Sequence, residues 1–174
     1  MNQNVENRLL TLALLTAAAS SIHIVEGLIM RMLPLPFIRL GLSNVVVLYL
    51  VWNGKFMNAI AVNVAKALIG GLFTLTLLSP STLLSISGGL IAVVAMQLSK
   101  STRMGFSIYG ISIIGAIAHN LTQLVVVRNV IIRSDSVFML TPFLISIGLL
   151  SGFIIAYITL YAEAKFKLPA IERK

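Results

Sequence analysis

Apolar residues fill this chain in long stretches, broken only by short clusters of polar and turn-forming residues. The stretches cover 9–30, 41–52, 56–78, 82–98, 104–127 and 137–161. A helix needs about 20 apolar residues, with about 17 as the lower bound, to cross the hydrocarbon core of a bilayer. All but the second stretch meet that requirement. The breaks carry helix-ending chemistry: Asn53-Gly54, Ser79-Pro80-Ser81 and the polar patch Lys100-Ser101-Thr102-Arg103. The second stretch can span only if the irregular residues before it, 33–40, cover part of the membrane depth. The pattern predicts an all-α integral membrane protein, one membrane domain over 1–174 with six transmembrane helices. Five spans plus a re-entrant second segment is the alternative. Nothing in the chain reads as a heptad array, a low-complexity segment or an internal repeat.

Composition agrees with the pattern. Hydrophobic residues make up 58% and charged residues 10% of the 174, and mean hydropathy is +1.00, against about 25% charge in a soluble domain. The absence of cysteine excludes disulfides, thiolate metal sites and thiol redox chemistry. A net charge of +8 could point to nucleic acid, but the basic residues lie between apolar runs, where orientation signals belong. The first apolar run, 9–30, is too long for a signal-peptide core. If the N-terminus is cytoplasmic, Arg8, Lys55, Lys100, Arg103, Lys165, Lys167, Arg173 and Lys174 face inward, and Arg31, Arg39, Arg128 and Arg133 outward. That asymmetry predicts both termini inside. Arg128 and Arg133 flank Asp135 as a solvated loop would.

The candidate chemistry starts at Leu33-Pro34-Leu35-Pro36-Phe37-Ile38-Arg39-Leu40-Gly41-Leu42-Ser43-Asn44. Two prolines one residue apart prevent a regular helix from running through. Backbone freed of helical bonds cannot face lipid, so it must be buried or line a wet cavity. Arg39, Ser43 and Asn44 follow at the start of the next apolar segment, where free N–H groups favour an anion. Inside other apolar runs stand His23 and Glu26, three apart on one helix face. Asn63, Lys66 and Gly70 share a face of the third run, and His119, Asn120 and Gln123 fall within about one turn of the fifth. Such groups could simply pair across helices, Glu26 with Lys66 and His119 with Asn63 or Gln123. They could instead line an outward-opening cavity beside Arg39 and Asn44. A proton relay through His23, Glu26 and His119 is a further possibility that spacing does not decide. Small residues add another pattern: Ala13, Ala17 and Ser21 recur every fourth position, and Gly148 and Gly152 do so near the C-terminus. Either lets another helix approach closely, within the molecule or from a partner.

The runs Pro34 to Asn44, Leu84-Ser-Ile-Ser-Gly-Gly89 and Gly115-Ala-Ile-Ala-His-Asn-Leu-Thr-Gln123 resemble the Gx transporter family, also labelled heptaprenyl diphosphate synthase component I. That family is similar to the substrate-binding S components of energy-coupling factor (ECF) transporters. The resemblance covers roughly residues 8 to 162. It implies a six-helix S-component fold with cytoplasmic termini and an outward-facing site. It also implies docking on a transmembrane coupling subunit through an Ala-xxx-Ala pattern, which Ala13 and Ala17 match. The family often has arginine where Lys66 stands and lysine where Arg39 stands, so the charge is kept but the fork geometry is not.

The synthase label meets a chemical objection. Prenyl diphosphate synthases hold Mg²⁺ with aspartate-rich DDxxD motifs. The five acids here, Glu6, Glu26, Asp135, Glu163 and Glu172, include no adjacent pair. There is no GxxxxGK[ST] phosphate loop either. The expectation is a subunit without catalytic residues, metal or cofactor of its own, which captures a small polar or anionic substrate for an ECF-type importer. Its binding residues would be Arg39, Ser43, Asn44, Lys66, His119, Asn120, Gln123 and Glu26. Its partners would be the coupling subunit, the ATPase subunits and the lipid bilayer, with no nucleic acid. The alternative is a non-catalytic membrane helper in prenyl or quinone metabolism or in membrane electron transfer. A stand-alone proton-coupled carrier using Glu26 and His119 is a third reading.

Overall fold

The computed structural model describes residues 3–31 and 40–166. Every element among them is helical: α1 (Gln3–Arg31), α2 (Asn44–Trp52), α3 (Phe56–Phe73), α4 (Pro80–Ser101), α5 (Ile108–Val126) and α6 (Thr141–Phe166). A π-helical turn, Val127–Ile132, and a 3₁₀ helix, Asp135–Leu140, join α5 to α6. Five segments are long and apolar enough to cross a membrane: Val5–Ile29, Phe56–Phe73, Pro80–Ser101, Ile108–Ile132 and Asp135–Lys165. The molecule is thus a helical bundle of multi-pass membrane type.

The exception is α2. Its nine residues rise about 14 Å, less than half the hydrocarbon thickness. A helix apolar on every side belongs in a core. Accordingly Val46, Val47, Leu48, Tyr49, Leu50 and Val51 are all buried. α2 packs against α1, α3, α4 and α6, while the long helices neighbour one another in the order α1–α3–α4–α5–α6. The apolar run 41–52 therefore forms a short central helix rather than a full-length one.

Both ends of α2 are held by specific bonds. At its C-terminus Gly54 takes φ +75°, and the N–H groups of Gly54 and Lys55 return to the carbonyls of Val51 and Leu50, satisfying groups that a helix end leaves open. Lys100, from the end of α4, donates to the Val51 and Trp52 carbonyls at 2.8 and 2.7 Å. This cation serves the negative end of a buried helix, a use that charge counting along the sequence does not reveal.

Other boundaries moved. α3 ends at Phe73, five residues before the apolar run 56–78 does. Thr74 turns back to bond the Gly70 carbonyl at 2.7 Å, and Leu75 adopts φ +55°. α4 begins at Pro80, whose missing N–H costs nothing at a first helical position. The small residues of α6 are used internally. A Cβ at Gly152 would lie 2.6 Å from the Ile113 Cα, and one at Gly148 would lie 3.2 Å from the Ile117 Cα. These two glycines set the close approach of α6 to α5. On α1, by contrast, Ala13 and Ala17 are exposed, and the buried small residues are Ala19 and Ser20.

Candidate functional site

The polar groups of the bundle gather where α1, α3, α4 and α5 meet the turn leading into α2. Gly41 opens that turn at φ +71°, a conformation glycine adopts without steric cost. The Asn44 N–H donates to the Gly41 carbonyl at 2.8 Å and the Val45 N–H to the Leu42 carbonyl at 3.1 Å. A Cβ at Gly41 would also meet the Asn44 amide at 2.9 Å. The turn buries the side chains of Ser43 and Asn44.

From α3, Lys66 reaches this turn. Its Nζ donates to Ser43 Oγ at 3.0 Å and to Asn44 Oδ1 at 2.5 Å, and the residue is only 3% exposed. Burying an ammonium is costly unless acceptors replace its water, and these two oxygens supply that replacement. From α1, Glu26 is 5% exposed, and its Oε1 accepts the Gly41 backbone N–H at 2.5 Å. Both buried side chains are therefore anchored to the same short turn, residues 41–44.

Between them lies a small cavity lined by His23, Glu26, Gly41, Ser43, Asn44, Lys66, Ser85 and His119. Most of its space of about 250 Å³ is open to solvent, and the enclosed part has room for about one water molecule. Glycines seat the surrounding polar side chains. A Cβ at Gly70 would lie 2.5 Å from the His23 ring, and one at Gly88 would lie 3.1 Å from His119 and 3.2 Å from Gln123. A Cβ at Gly89 would overlap the Asn63 amide. Several buried atoms have no hydrogen-bond partner among the described residues: Glu26 Oε2, both amide atoms of Asn63, Ser112 Oγ and Gln123 Nε2. Native interiors leave few such groups.

The residues singled out in the sequence fall into three groups. Glu26, Ser43, Asn44, Lys66 and His119 share the cavity. Asn120 and Gln123 do not line it. Asn120 Nδ2 donates to the Leu144 carbonyl at 3.0 Å, so this amide ties α5 to α6. Adjacent residues on a helix point about 100° apart, and His119 and Asn120 accordingly serve different neighbours. Gln123 stands one turn beyond His119, against Gly88. Arg39 and the two prolines lie outside the described residues. Ser85 and Gly41 are additions to the expected set. Ser85 had a readable signal: Ser85, Gly88, Gly89 and Ala92 are all buried at offsets of 3, 4 and 7, the spacing of one helix face.

Chemically, the cavity can donate and accept hydrogen bonds and present one cation and one carboxyl group. Among the described residues, no group of three or more His, Asp or Glu could hold a metal ion. A bundle of long apolar helices enclosing a small, densely polar cavity defines a multi-pass membrane protein with a buried polar site. The chain belongs to the heptaprenyl diphosphate synthase component I family, whose model matches residues 15–162. No curated protein and no solved structure matches it. The family name speaks of a synthase component, while the acids in this chain are too few and too scattered for the DDxxD chemistry of a prenyl transferase.

Proposed function

We propose that this protein is the substrate-capturing membrane subunit of an ECF-type importer, without catalysis of its own. The observation that carries the reading is the polar cavity at the head of α2. Four titratable side chains, His23, Glu26, Lys66 and His119, come to it from three helices. Buried amide and carboxyl atoms in and around it lack partners among the described residues. Structural glue between helices would satisfy its own groups, whereas a binding site keeps some for its ligand. In this reading both termini face the cytoplasm in a prokaryotic inner membrane, and all six helices form the membrane bundle. Substrate enters from outside past Arg39. The exposed Ala13 and Ala17 let a coupling subunit approach α1 closely, and partner ATPases supply the energy.

Mass spectrometry of the detergent-solubilised protein tests the first half: a small molecule should co-purify with the wild type and be depleted from Lys66→Ala. Loss of nothing on Lys66→Ala would refute the site. Ala17→Leu tests the second half. It should leave ligand retention intact and abolish co-purification with the ATPase subunits, and normal recovery of the complex would move the interface off α1. An impermeant thiol reagent should fail to label a cysteine placed at position 101 in intact cells, and labelling there would reverse the orientation.

A further inference from the structure

The cavity is asymmetric in a way that constrains what it binds. Glu26 is 95% buried by the same measure that leaves it 5% exposed. One carboxyl oxygen, Oε1, is occupied by the Gly41 N–H. The other, Oε2, is buried, belongs to a residue of the cavity wall, and has no hydrogen-bond partner among the described residues. An ionised carboxyl group only accepts hydrogen bonds, and leaving such an oxygen dry and unpaired is costly. Among the described residues, then, no donor reaches Oε2.

We propose that Glu26 Oε2 receives a hydrogen-bond donor from the ligand, so that the substrate carries an amino or other cationic N–H group rather than being a simple anion. This rests on the reading of the cavity as a substrate site and narrows its substrate class. Lys66, held by Ser43 and Asn44, lines the same cavity, so a ligand bearing both an N–H donor and an acceptor group can meet both poles. The bond between Glu26 Oε1 and Gly41 also fixes which oxygen is offered. In Glu26→Gln, the Gly41 N–H still requires an acceptor, so the amide oxygen takes that place and the NH₂ group replaces Oε2. The wall then presents a donor where the wild type presents an acceptor, with the loop anchor unbroken.

Small probes test this directly. Thermal unfolding of the detergent-solubilised protein, followed by the fluorescence of its single tryptophan, Trp52, is recorded with methylammonium chloride, tetramethylammonium chloride, sodium acetate and sodium chloride at equal concentration. Methylammonium carries the charge and the N–H donors, tetramethylammonium the charge alone, and acetate only acceptors. The expected result is stabilisation by methylammonium above the other three salts, with apparent affinity about tenfold or more weaker in Glu26→Gln, the loss of one charge-assisted bond. Glu26→Gln should melt near the wild-type temperature without probe; should it not, Glu26→Asp, which keeps the acceptor, replaces it as the comparison and should retain methylammonium binding. Equal stabilisation by tetramethylammonium, or an undiminished methylammonium effect in Glu26→Gln, overturns the assignment of Oε2. Stabilisation by acetate alone also overturns it while leaving the cavity as a binding site. No response to any probe, together with no co-purifying molecule, overturns both readings.

Discussion

Two places among the described residues hold opposite charges, and the two places behave differently. In the loop after α5, Arg128 Nε stands 2.9 Å from Asp135 Oδ1, with the side chains 43% and 76% exposed. At the head of α2, Lys66 and Glu26 are 3% and 5% exposed and are each held by neutral groups of the 41–44 turn. The loop has the direct ion pair, yet water screens it, and such exposed pairs contribute up to about 1 kcal/mol. The cavity has costlier charges, since removing an ion from water costs several kcal/mol before its partners offset it. Burial, more than the closeness of a charge pair, marks where a single side chain matters.

The sharpest way to break this comparison is at Lys66. Lys66→Ala is expected to weaken ligand binding by about 10- to 150-fold, equivalent to roughly 1.5–3 kcal/mol for one charge-assisted contact. Lys66→Met should lose binding similarly while unfolding at the same temperature or higher, because an apolar side chain of similar length avoids the desolvation cost. A Met variant that keeps full binding would reduce the ammonium to a structural pin for Ser43 and Asn44. Arg39→Ala is predicted to match Lys66→Ala in a binding titration.

A smaller effect is expected from the glycine seats. Gly89→Ala places a methyl group onto the Asn63 amide, which is fully buried. Overpacking of that kind costs about 1–3 kcal/mol, to be read as a lowered unfolding temperature. An unchanged melt would mean that the Asn63 side chain has room to swing away. The smallest effects belong to the loop. Arg128→Ala and Asp135→Asn should each shift stability by at most about 1 kcal/mol, a difference that fades as salt is raised. Arg133→Ala should leave ligand binding unchanged. A loop variant that impaired binding as strongly as Lys66→Ala would erase the distinction between the two regions.

Much of this arrangement was legible in the residues themselves. Long apolar runs can be stable only in lipid or a core, so membrane class followed from hydrophobic length, whereas the six full spans expected became five long apolar helices and the nine-residue α2. Asn53-Gly54 announced a turn, and Gly54 adopts the positive φ that such a turn uses. Asn63, Lys66 and Gly70, spaced by three and four residues, are all buried on one face of α3. Arg128 and Asp135 lie in an exposed loop, as their positions implied, and there they pair. These are local consequences of helix period, turn chemistry and hydropathy.

What only the tertiary structure decided is which neighbour each helix face meets. An apolar helix has no polar side to orient it, so nothing in residues 44–52 distinguishes a central nine-residue core helix from the end of a membrane span. His119 and Asn120 are adjacent in sequence and equally polar, yet one faces the cavity and the other the Leu144 carbonyl. Lys100 reads as an orientation charge until it is seen closing the end of α2. Gly148 and Gly152 pack on α5, while Ala13 and Ala17, at the same spacing, stay exposed. Spacing along a helix sets which residues share a face. The partner of that face depends on contacts between residues far apart in the chain, such as Lys66 with Ser43 and Glu26 with Gly41, and those exist only once the bundle has closed.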